Sequence, residues 1–206
     1  MPQLDFWYEF ASNYSYLSAM RISDLARDAK VEIGWRPFLL GPIFKSQGWD
    51  TSPFNLFPAK GRYMVRDMER IAEARGLNFV MPKPFPANGL PAARVAYLGQ
   101  AEAWVGPFTA AVFEAEFGRG EDISDAAVLE KILTEIGVDA SVALGRSREL
   151  VVKDGLRQQT AWAQEIGIFG APTFITADGE LFWGDDRLEQ ALAWVVTANC
   201  TLPQPR

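Results

Sequence analysis

The chain has 206 residues and a net charge of −6, and 49% of its residues are hydrophobic, which is enough apolar material for a sizeable core. The negative charge argues against an electrostatic nucleic-acid binder, and no run of about 18 apolar residues predicts a membrane span. The N-terminal residues lack a basic segment followed by an apolar stretch. We therefore expect no secretory signal and a cytoplasmic protein.

Two absences narrow the chemistry further. The sequence contains no histidine, which excludes Ser-His-Asp and Cys-His catalysis and most zinc sites, so we predict no metal. Its single cysteine, Cys200, can form neither an intrachain disulfide nor a CxxC redox pair, and we interpret it as a semi-buried or tail thiol. A nucleophile stronger than a hydroxyl or an amine must therefore come from a ligand.

The first forty residues carry the pattern of a strand, a helix and a second strand. Residues 4–10 alternate between aromatic or aliphatic side chains and acidic ones, which puts Glu9 on the polar side of a strand. Trp7 interrupts that polar side, so both faces of the strand are expected to be partly covered. An amphipathic stripe over 22–29 predicts a helix, and a second alternation over 31–37 predicts the next strand. The order is that of a βαβ unit.

The middle of the chain shows only helical signals, from about 60 to 166. Pro91 and Pro107 are typical of the first turns of two of these helices. The segments 41–60 and 82–90 are rich in Gly, Pro and Asn, and we predict that both are loops.

The end of the chain returns to sheet. Residues 173–176 and 181–183 are β-prone, and Asp178-Gly179 between them is a hairpin signal. An apolar stripe over 188–195 predicts a closing helix. The overall order, βαβ, a helical block and then ββα, is that of a thioredoxin fold with an all-helical insertion. We expect a thioredoxin-like domain over 1–40 and 167–206, and an inserted helical domain over 41–166.

Three short segments could carry the chemistry. Ser12 lies where the first strand runs into the first helix, where unpaired N–H groups favour an anion, although helix capping alone explains a serine there. Pro172 precedes a strand and is a candidate cis proline, with an open backbone edge before it, although an ordinary loop-to-strand proline fits equally well. Asp185 and Asp186 either cap the last helix or bind the ammonium group of a γ-glutamyl ligand.

Motifs with a characteristic order and spacing run along most of the chain. They are Asp5-Phe6-Trp7-Tyr8, Ser12-Asn13-Tyr14-Ser15-Tyr16-Leu17, Trp35 to Lys45, Asn55 with Pro58-Ala59-Lys60, Arg66-Asp67, Phe85-Pro86-Ala87-Asn88, Phe169-Gly170-Ala171-Pro172-Thr173, and Phe182-Trp183-Gly184 with Asp186-Arg187. Together they resemble the 2-hydroxychromene-2-carboxylate isomerases and, more widely, the kappa-class glutathione transferases of the DsbA-like group. One departure is Asn13, because the family commonly has proline after the serine.

The resemblance implies a glutathione site. Ser12 would be the catalytic serine that hydrogen-bonds the glutathione sulfur. Ala171 and Pro172, just before the strand predicted at 173–176, would hold the tripeptide backbone. The γ-glutamyl end would be surrounded by Trp183, Gly184, Asp185, Asp186 and Arg187. The second substrate would contact Lys45, Asn55, Phe85 and Asn88.

The resemblance also implies a reaction, the reversible conversion of 2-hydroxychromene-2-carboxylate to trans-o-hydroxybenzylidenepyruvate in aromatic hydrocarbon (naphthalene) degradation. The expected partners are a small aromatic carboxylate and a second copy of the chain in a homodimer, with no nucleic acid and no membrane. Two alternatives stay open. One is a kappa-class-like transferase that forms stable conjugates, and the other is a non-catalytic thioredoxin-like binding module.

Overall fold

The computed structural model describes residues 1–201, without the side chains of Pro53, Asn199, Cys200 and Thr201. The prediction for Cys200 concerns a side chain outside that part. The strands are β1 Gln3–Tyr8, β2 Glu32–Pro37, β3 Thr173–Thr176 and β4 Leu181–Trp183. The helices are α1 Asn13–Ala19, α2 Ile22–Ala29, α3 Leu40–Ser46, α4 Pro53–Leu56, α5 Pro58–Arg75, α6 Leu90–Leu98, α7 Val105–Phe113, α8 Ala126–Glu135, α9 Ala140–Arg146, α10 Leu150–Glu165 and α11 Leu188–Thr201.

The four strands form one mixed sheet in the order β2-β1-β3-β4. β2 runs parallel to β1, whereas β3 is antiparallel to β1 and β4 is antiparallel to β3. Across the sheet, Phe6 lies opposite both Trp35 and Phe174, and its ring is 5.5 Å from that of Phe174. This arrangement is the expected α/β thioredoxin fold with a helical insertion between β2 and β3.

Both faces of β1 are covered, as the interruption by Trp7 predicted. Leu4, Phe6 and Tyr8 are fully buried in the large core on one face. Trp7 is fully buried on the other face, in a smaller core with Phe38, Ile43, Ala163 and Ile168. Each buried aromatic or aliphatic side chain contributes about 1.5–3 kcal/mol, so the sheet is anchored on both sides.

The inserted helices share the large core with the sheet. Phe108 and Phe113 of α7 are fully buried there with the aromatic side chains of β1, and Leu129 of α8 belongs to the same cluster. The Tyr8 hydroxyl and Thr109 Oγ1 are hydrogen-bonded at 2.8 Å inside this core. The division into two domains at 40 and 167 stays a prediction.

The prediction that 41–60 is a loop was wrong in part. α3 and α4 both lie there, and α3 begins at Leu40 with Pro42 in its first turn, where proline is tolerated because its missing N–H has no partner in a helix. The helix is stabilised by a distant contact, because Ile43 packs into the small core beside Trp7. The loop predicted at 82–90 is confirmed up to Gly89, and α6 and α7 carry Pro91 and Pro107 in their first turns.

The closing hairpin and helix are also confirmed. Gly179 takes the positive φ of 88° that its turn requires, and its N–H donates to the Thr176 carbonyl. Among residues 1–201, no helix combines the length and the apolar character that crossing a bilayer requires.

Candidate functional site

A cavity of about 910 Å³ opens at the carboxyl end of β1. Its walls come from the loop before α1, from α3 and the segment after it, from the loop before α6 and from the segment before β3. Six of the predicted site residues line it: Ser12, Lys45, Phe85, Asn88, Ala171 and Trp183. Ligand sites in α/β folds lie at this edge of the sheet, and the volume is near the upper end of the usual range of about 300–1,000 Å³.

Ser12 fulfils both interpretations that the sequence left open. Its Oγ caps α1 by accepting from the Ser15 N–H at 3.2 Å, which is the structural role. The same hydroxyl lines the cavity and donates to the Ala171 carbonyl at 3.0 Å, across 159 positions of sequence. Its single proton is therefore in use in this structure, and the hydroxyl has to rotate toward the cavity to donate to a ligand.

The peptide bond between Ala171 and Pro172 is cis, which resolves the alternative left open by the sequence. The Ala171 carbonyl accepts from Ser12, and the Pro172 carbonyl accepts from the Gly184 N–H at 3.0 Å. Within residues 1–201, the Ala171 N–H has no hydrogen-bond partner. It is a free backbone donor beside Ser12, of the kind that an extended peptide can pair with.

Trp183 forms an aromatic rim on the same side of the cavity. Its side chain is 52% exposed, and its ring centroid is 5.0 Å from that of Phe169. A Cβ at Gly170 would lie 2.5 Å from the indole Nε1, so only glycine leaves room for the indole there. The indole of Trp183 can therefore pack at the cavity entrance because residue 170 has no side chain.

Three of the residues predicted for the second substrate also line the cavity. Lys45 is exposed, and its ammonium group has no ion pair in the described part of the chain. Phe85 packs edge-on against Phe54 at 4.8 Å, and the Asn88 side-chain oxygen accepts from the Leu90 N–H at 3.2 Å.

Asn55 is the exception among the residues predicted for the second substrate. Its amide donates to Thr51 Oγ1 at 2.9 Å on the protein surface, and it is not part of the cavity lining.

Asp185 is buried, and its carboxylate binds other side chains of the protein. Its carboxylate accepts from Ser18 Oγ at 2.9 Å and forms ion pairs with Arg21 at 3.2 Å and Arg75 at 2.7 Å. Only 5% of its side chain is exposed, and it does not line the cavity. Binding of a γ-glutamyl ammonium at Asp185 stays a prediction, and it requires these contacts to rearrange.

The neighbours of Asp185 lie just outside the cavity. The Asp186 side chain is 73% exposed and pairs with Arg187 at 3.2 Å. Gly184 has a φ of 109°, and its N–H is used by Pro172. Like Pro172 itself, these three residues lie next to the rim formed by Trp183 but do not line the cavity, so their roles as ligand contacts also stay predictions.

Glu9 was not among the predicted site residues, because the alternation over 4–10 put it on the polar side of the first strand. It lines the cavity yet is 7% exposed, and its carboxylate accepts from the Leu40 N–H at 2.8 Å. Burial raises the pKa of Glu9 from its usual 4.5 to about 7, and the backbone N–H groups that it accepts from act in the opposite direction. Its position three residues before Ser12, at the carboxyl end of a strand, is the signal that could have identified it.

A second buried acid belongs to the same region. Glu116 lies in a π-helical turn, Glu114–Gly118, that continues α7, and such turns often mark functional sites. Its side chain is fully buried, and neither carboxylate oxygen has a hydrogen-bond partner in the described structure. Burial, together with the charges of Glu9 and Asp122, holds the pKa of Glu116 well above its usual 4.5.

Asn13 and Tyr14 complete the wall next to Ser12. The amide nitrogen of Asn13 is buried without a hydrogen-bond partner in the described structure. The Tyr14 hydroxyl donates to Asp67 at 2.9 Å; burial and this carboxylate raise the pKa of Tyr14.

Comparison with known proteins gives the same architecture. Residues 3–193 match the DSBA-like thioredoxin domain. A 2-hydroxychromene-2-carboxylate isomerase from Sphingobium xenophagum is 30% identical over 188 residues, which cover 90% of this chain and 94% of that protein. Glutathione S-transferase kappa 1 from Rattus norvegicus is 24% identical over 216 residues, which cover 98% of this chain and 94% of that protein.

A solved structure agrees with these sequence matches. That of a 2-hydroxychromene-2-carboxylate isomerase superposes with a TM-score of 0.85 at 27% identity, and the superposition covers 98% of this chain and 100% of the other. The chain therefore belongs to the family of DSBA-like thioredoxin domains and, within it, to the group that includes the 2-hydroxychromene-2-carboxylate isomerases.

Proposed function

We propose that this protein is a glutathione-dependent isomerase that interconverts 2-hydroxychromene-2-carboxylate and trans-o-hydroxybenzylidenepyruvate. The observation that carries the proposal is the pairing of Ser12 with Ala171 at 3.0 Å inside the cavity. This pairing puts a hydroxyl donor beside a backbone N–H that has no partner among residues 1–201, in a cavity that also has aromatic side chains and a cation in its lining. The isomerase relatives, similar over most of the chain, make this reaction the first one to test.

The donor set fits a peptide thiol. The Ala171 N–H is an unused main-chain donor, and the Ala171-Pro172 segment is extended into β3, so a tripeptide backbone can pair along it. Ser12 Oγ, at the first turn of α1, can donate to a thiolate and favour its charged form. When bound, glutathione would supply a sulfur nucleophile that adds reversibly to a conjugated double bond, so that the bond can rotate.

The chain's own residues would orient the second substrate. Lys45 is a cation without an ion pair among the described residues, and it can bind a substrate carboxylate as a point charge. Phe85 and Phe54 both line the cavity, pack against each other and can offer aromatic surface to a fused ring.

The proposal is tested by measuring turnover of 2-hydroxychromene-2-carboxylate with and without glutathione, on the wild type and on two variants of Ser12. Ser12→Ala removes both the cap and the hydroxyl donor, whereas Ser12→Asp keeps a capping oxygen and removes the donor. We expect both variants to lower the glutathione-dependent rate roughly 100-fold or more, because the hydroxyl that would donate to the glutathione thiolate is lost.

Ser15→Ala is the matched control, since Ser15 lies in the same helix and its hydroxyl has no partner in the described structure. It should keep the wild-type rate. Equal wild-type rates with and without glutathione would contradict the proposal. A stable glutathione adduct of the substrate, detected by mass spectrometry, would instead favour a transferase, the activity named for the rat relative.

A further inference from the structure

The carboxyl group of Glu9 lies in the cavity wall on the same turn as Ser12. The Ser12 N–H donates to the Glu9 carbonyl at 2.9 Å, so the two side chains leave one tight turn at the end of β1. The carboxylate is held by the Leu40 N–H at 2.8 Å and the Ala11 N–H at 3.5 Å. A Cβ at Gly89 would lie 3.0 Å from Glu9 Oε1, so glycine there lets the loop before α6 close over the carboxyl group.

Glu9 has no neutralising cation in the part of the chain that the structure describes. Within residues 1–201, neither Glu9 nor Glu116 forms an ion pair, and Glu116 has no hydrogen-bond partner either. The other ionisable groups that line the cavity are Tyr14 of α1, Lys45 of α3, Asp50 in the segment before α4, and Lys60 of α5. On the far side, Asp122 adds a further negative charge that acts on Glu116. A pair of buried carboxyl groups without a cation holds a proton more tightly than exposed ones do.

The proposed reaction needs such a group. Opening the chromene ring breaks the bond between the hemiketal carbon and the ring oxygen, and the electron pair goes to that oxygen, which becomes a phenolate. The hemiketal hydroxyl loses its proton as its carbon becomes a ketone, and the phenolate gains one. Protons balance, but one proton has to move between two oxygens of the substrate, and the chain has no histidine to carry it.

We propose that Glu9 is the general base and acid of this ring opening, with its carboxylate accepting the hemiketal proton and its carboxylic acid returning that proton to the phenolate oxygen. This inference rests on the proposed isomerase function and adds a catalytic residue to it. Glu9 is suited to the role because it is the only carboxyl group among the described cavity-lining residues that is buried. Because burial raises the pKa of Glu9 to about 7, both protonation states are accessible at neutral pH.

The test compares Glu9→Gln with the wild type over a pH series, at saturating glutathione. In the wild type we expect kcat/KM to rise with pH through an inflection near 7, because the free enzyme needs Glu9 as carboxylate. Glu9→Gln should lower kcat by roughly 100-fold or more and remove this inflection. The bound thiolate, followed by its ultraviolet absorbance, should titrate unchanged, which separates the carboxyl inflection from that of glutathione.

Two further variants keep the result interpretable. Glu9→Asp retains a carboxyl group and should retain an inflection with part of the activity, even if Glu9→Gln folds poorly. Asp50→Asn makes the same change at an exposed carboxylate of the same cavity, and it should leave the inflection in place. A Glu9→Gln enzyme with the wild-type rate and inflection would overturn the inference, whereas a wild type without glutathione-dependent turnover would overturn the proposed function itself.

Discussion

Buried acidic side chains of this protein have two opposite kinds of environment. Asp185, 5% exposed, is surrounded by Ser18, Arg21 and Arg75, so that both of its carboxylate oxygens have a partner. Glu9 and Glu116 are also buried, but among the described residues neither has a cation as partner, and Glu9 accepts hydrogen bonds from backbone N–H groups alone. The first arrangement fixes a charge in the fold, while the second favours a neutral acid and therefore binds a proton.

The largest expected effect on stability comes from removing the carboxylate of Asp185. Asp185→Ala leaves Arg21 and Arg75 partly buried without their shared partner, and we expect a loss of about 3–5 kcal/mol in the free energy of unfolding. The change is measured by urea unfolding of the variant and the wild type.

The matched control for this prediction is Asp186→Ala, at an acid that is 73% exposed and pairs with Arg187 on the surface. It should change the free energy of unfolding by less than about 1 kcal/mol. Equal losses for the two variants would mean that the buried ion pairs contribute no more than a surface pair.

The next effect is a pH dependence set by Glu9. Below pH 4.5 its carboxyl is protonated in both the folded and the unfolded chain. Between 4.5 and about 7 only the unfolded chain ionises, so the folded state loses stability as pH rises, and the loss is complete above the folded pKa of about 7. A pKa raised this far corresponds to about 3 kcal/mol, and Glu9→Gln should remove this dependence in unfolding experiments from pH 4 to 8.

Glu121 offers a control of opposite sign. Its hydrogen-bonded pairing with Arg119 holds the pKa of Glu121 below its usual value, so its stabilisation is present at neutral pH and is lost as pH falls through that lowered pKa. The dependence removed by Glu121→Gln should therefore run in the other direction, at lower pH. If the wild type and Glu9→Gln keep a constant difference in stability across the whole range, Glu9 is not a buried proton site.

The smallest effect is a gain in stability. Glu116→Met replaces a carboxyl group that has no partner in the described structure by an apolar side chain of similar length. We expect an increase of about 1–3 kcal/mol in the free energy of unfolding at neutral pH, because the cost of burying an unpaired polar group disappears.

Glu114→Met is the corresponding control, since Glu114 lies in the same π-helical turn but has a side chain that is 41% exposed. Its effect should stay within about 0.5 kcal/mol. A destabilised Glu116→Met, with an unaffected Glu114→Met, would show that Glu116 has a stabilising partner, and the contrast with Asp185 would not hold.

The sequence predicted the elements better than it predicted the environment of single residues. The alternation over β1 identified a strand, and the break at Trp7 indicated that both faces are covered. The same alternation misplaced Glu9, because its burial depends on Leu40 and Gly89, which lie far away in sequence and reach it only in the folded chain.

The composition of 41–60 also led to a prediction that was wrong in part. Gly, Pro and Asn indicate loop locally, but α3 is stabilised by the burial of Ile43 in the small core, which no local pattern contains. Six predicted site residues line one cavity, and they were identified from the order and spacing of motifs along the chain. The partners of Asp185 come from three different helices or their junctions, so they could not be deduced from its neighbours in sequence.

The ion pair between Asp185 and Arg75 limits how the helical insertion can change. Arg75 is the last residue of α5, inside the insertion, while Asp185 belongs to the turn that follows β4. A foreign helical block grafted in place of 41–166 would have to bring a cation to this point and to cover the aromatic face of β1. The insertion is therefore not an interchangeable module, and recombination between family members should succeed only where both halves of this contact are inherited together.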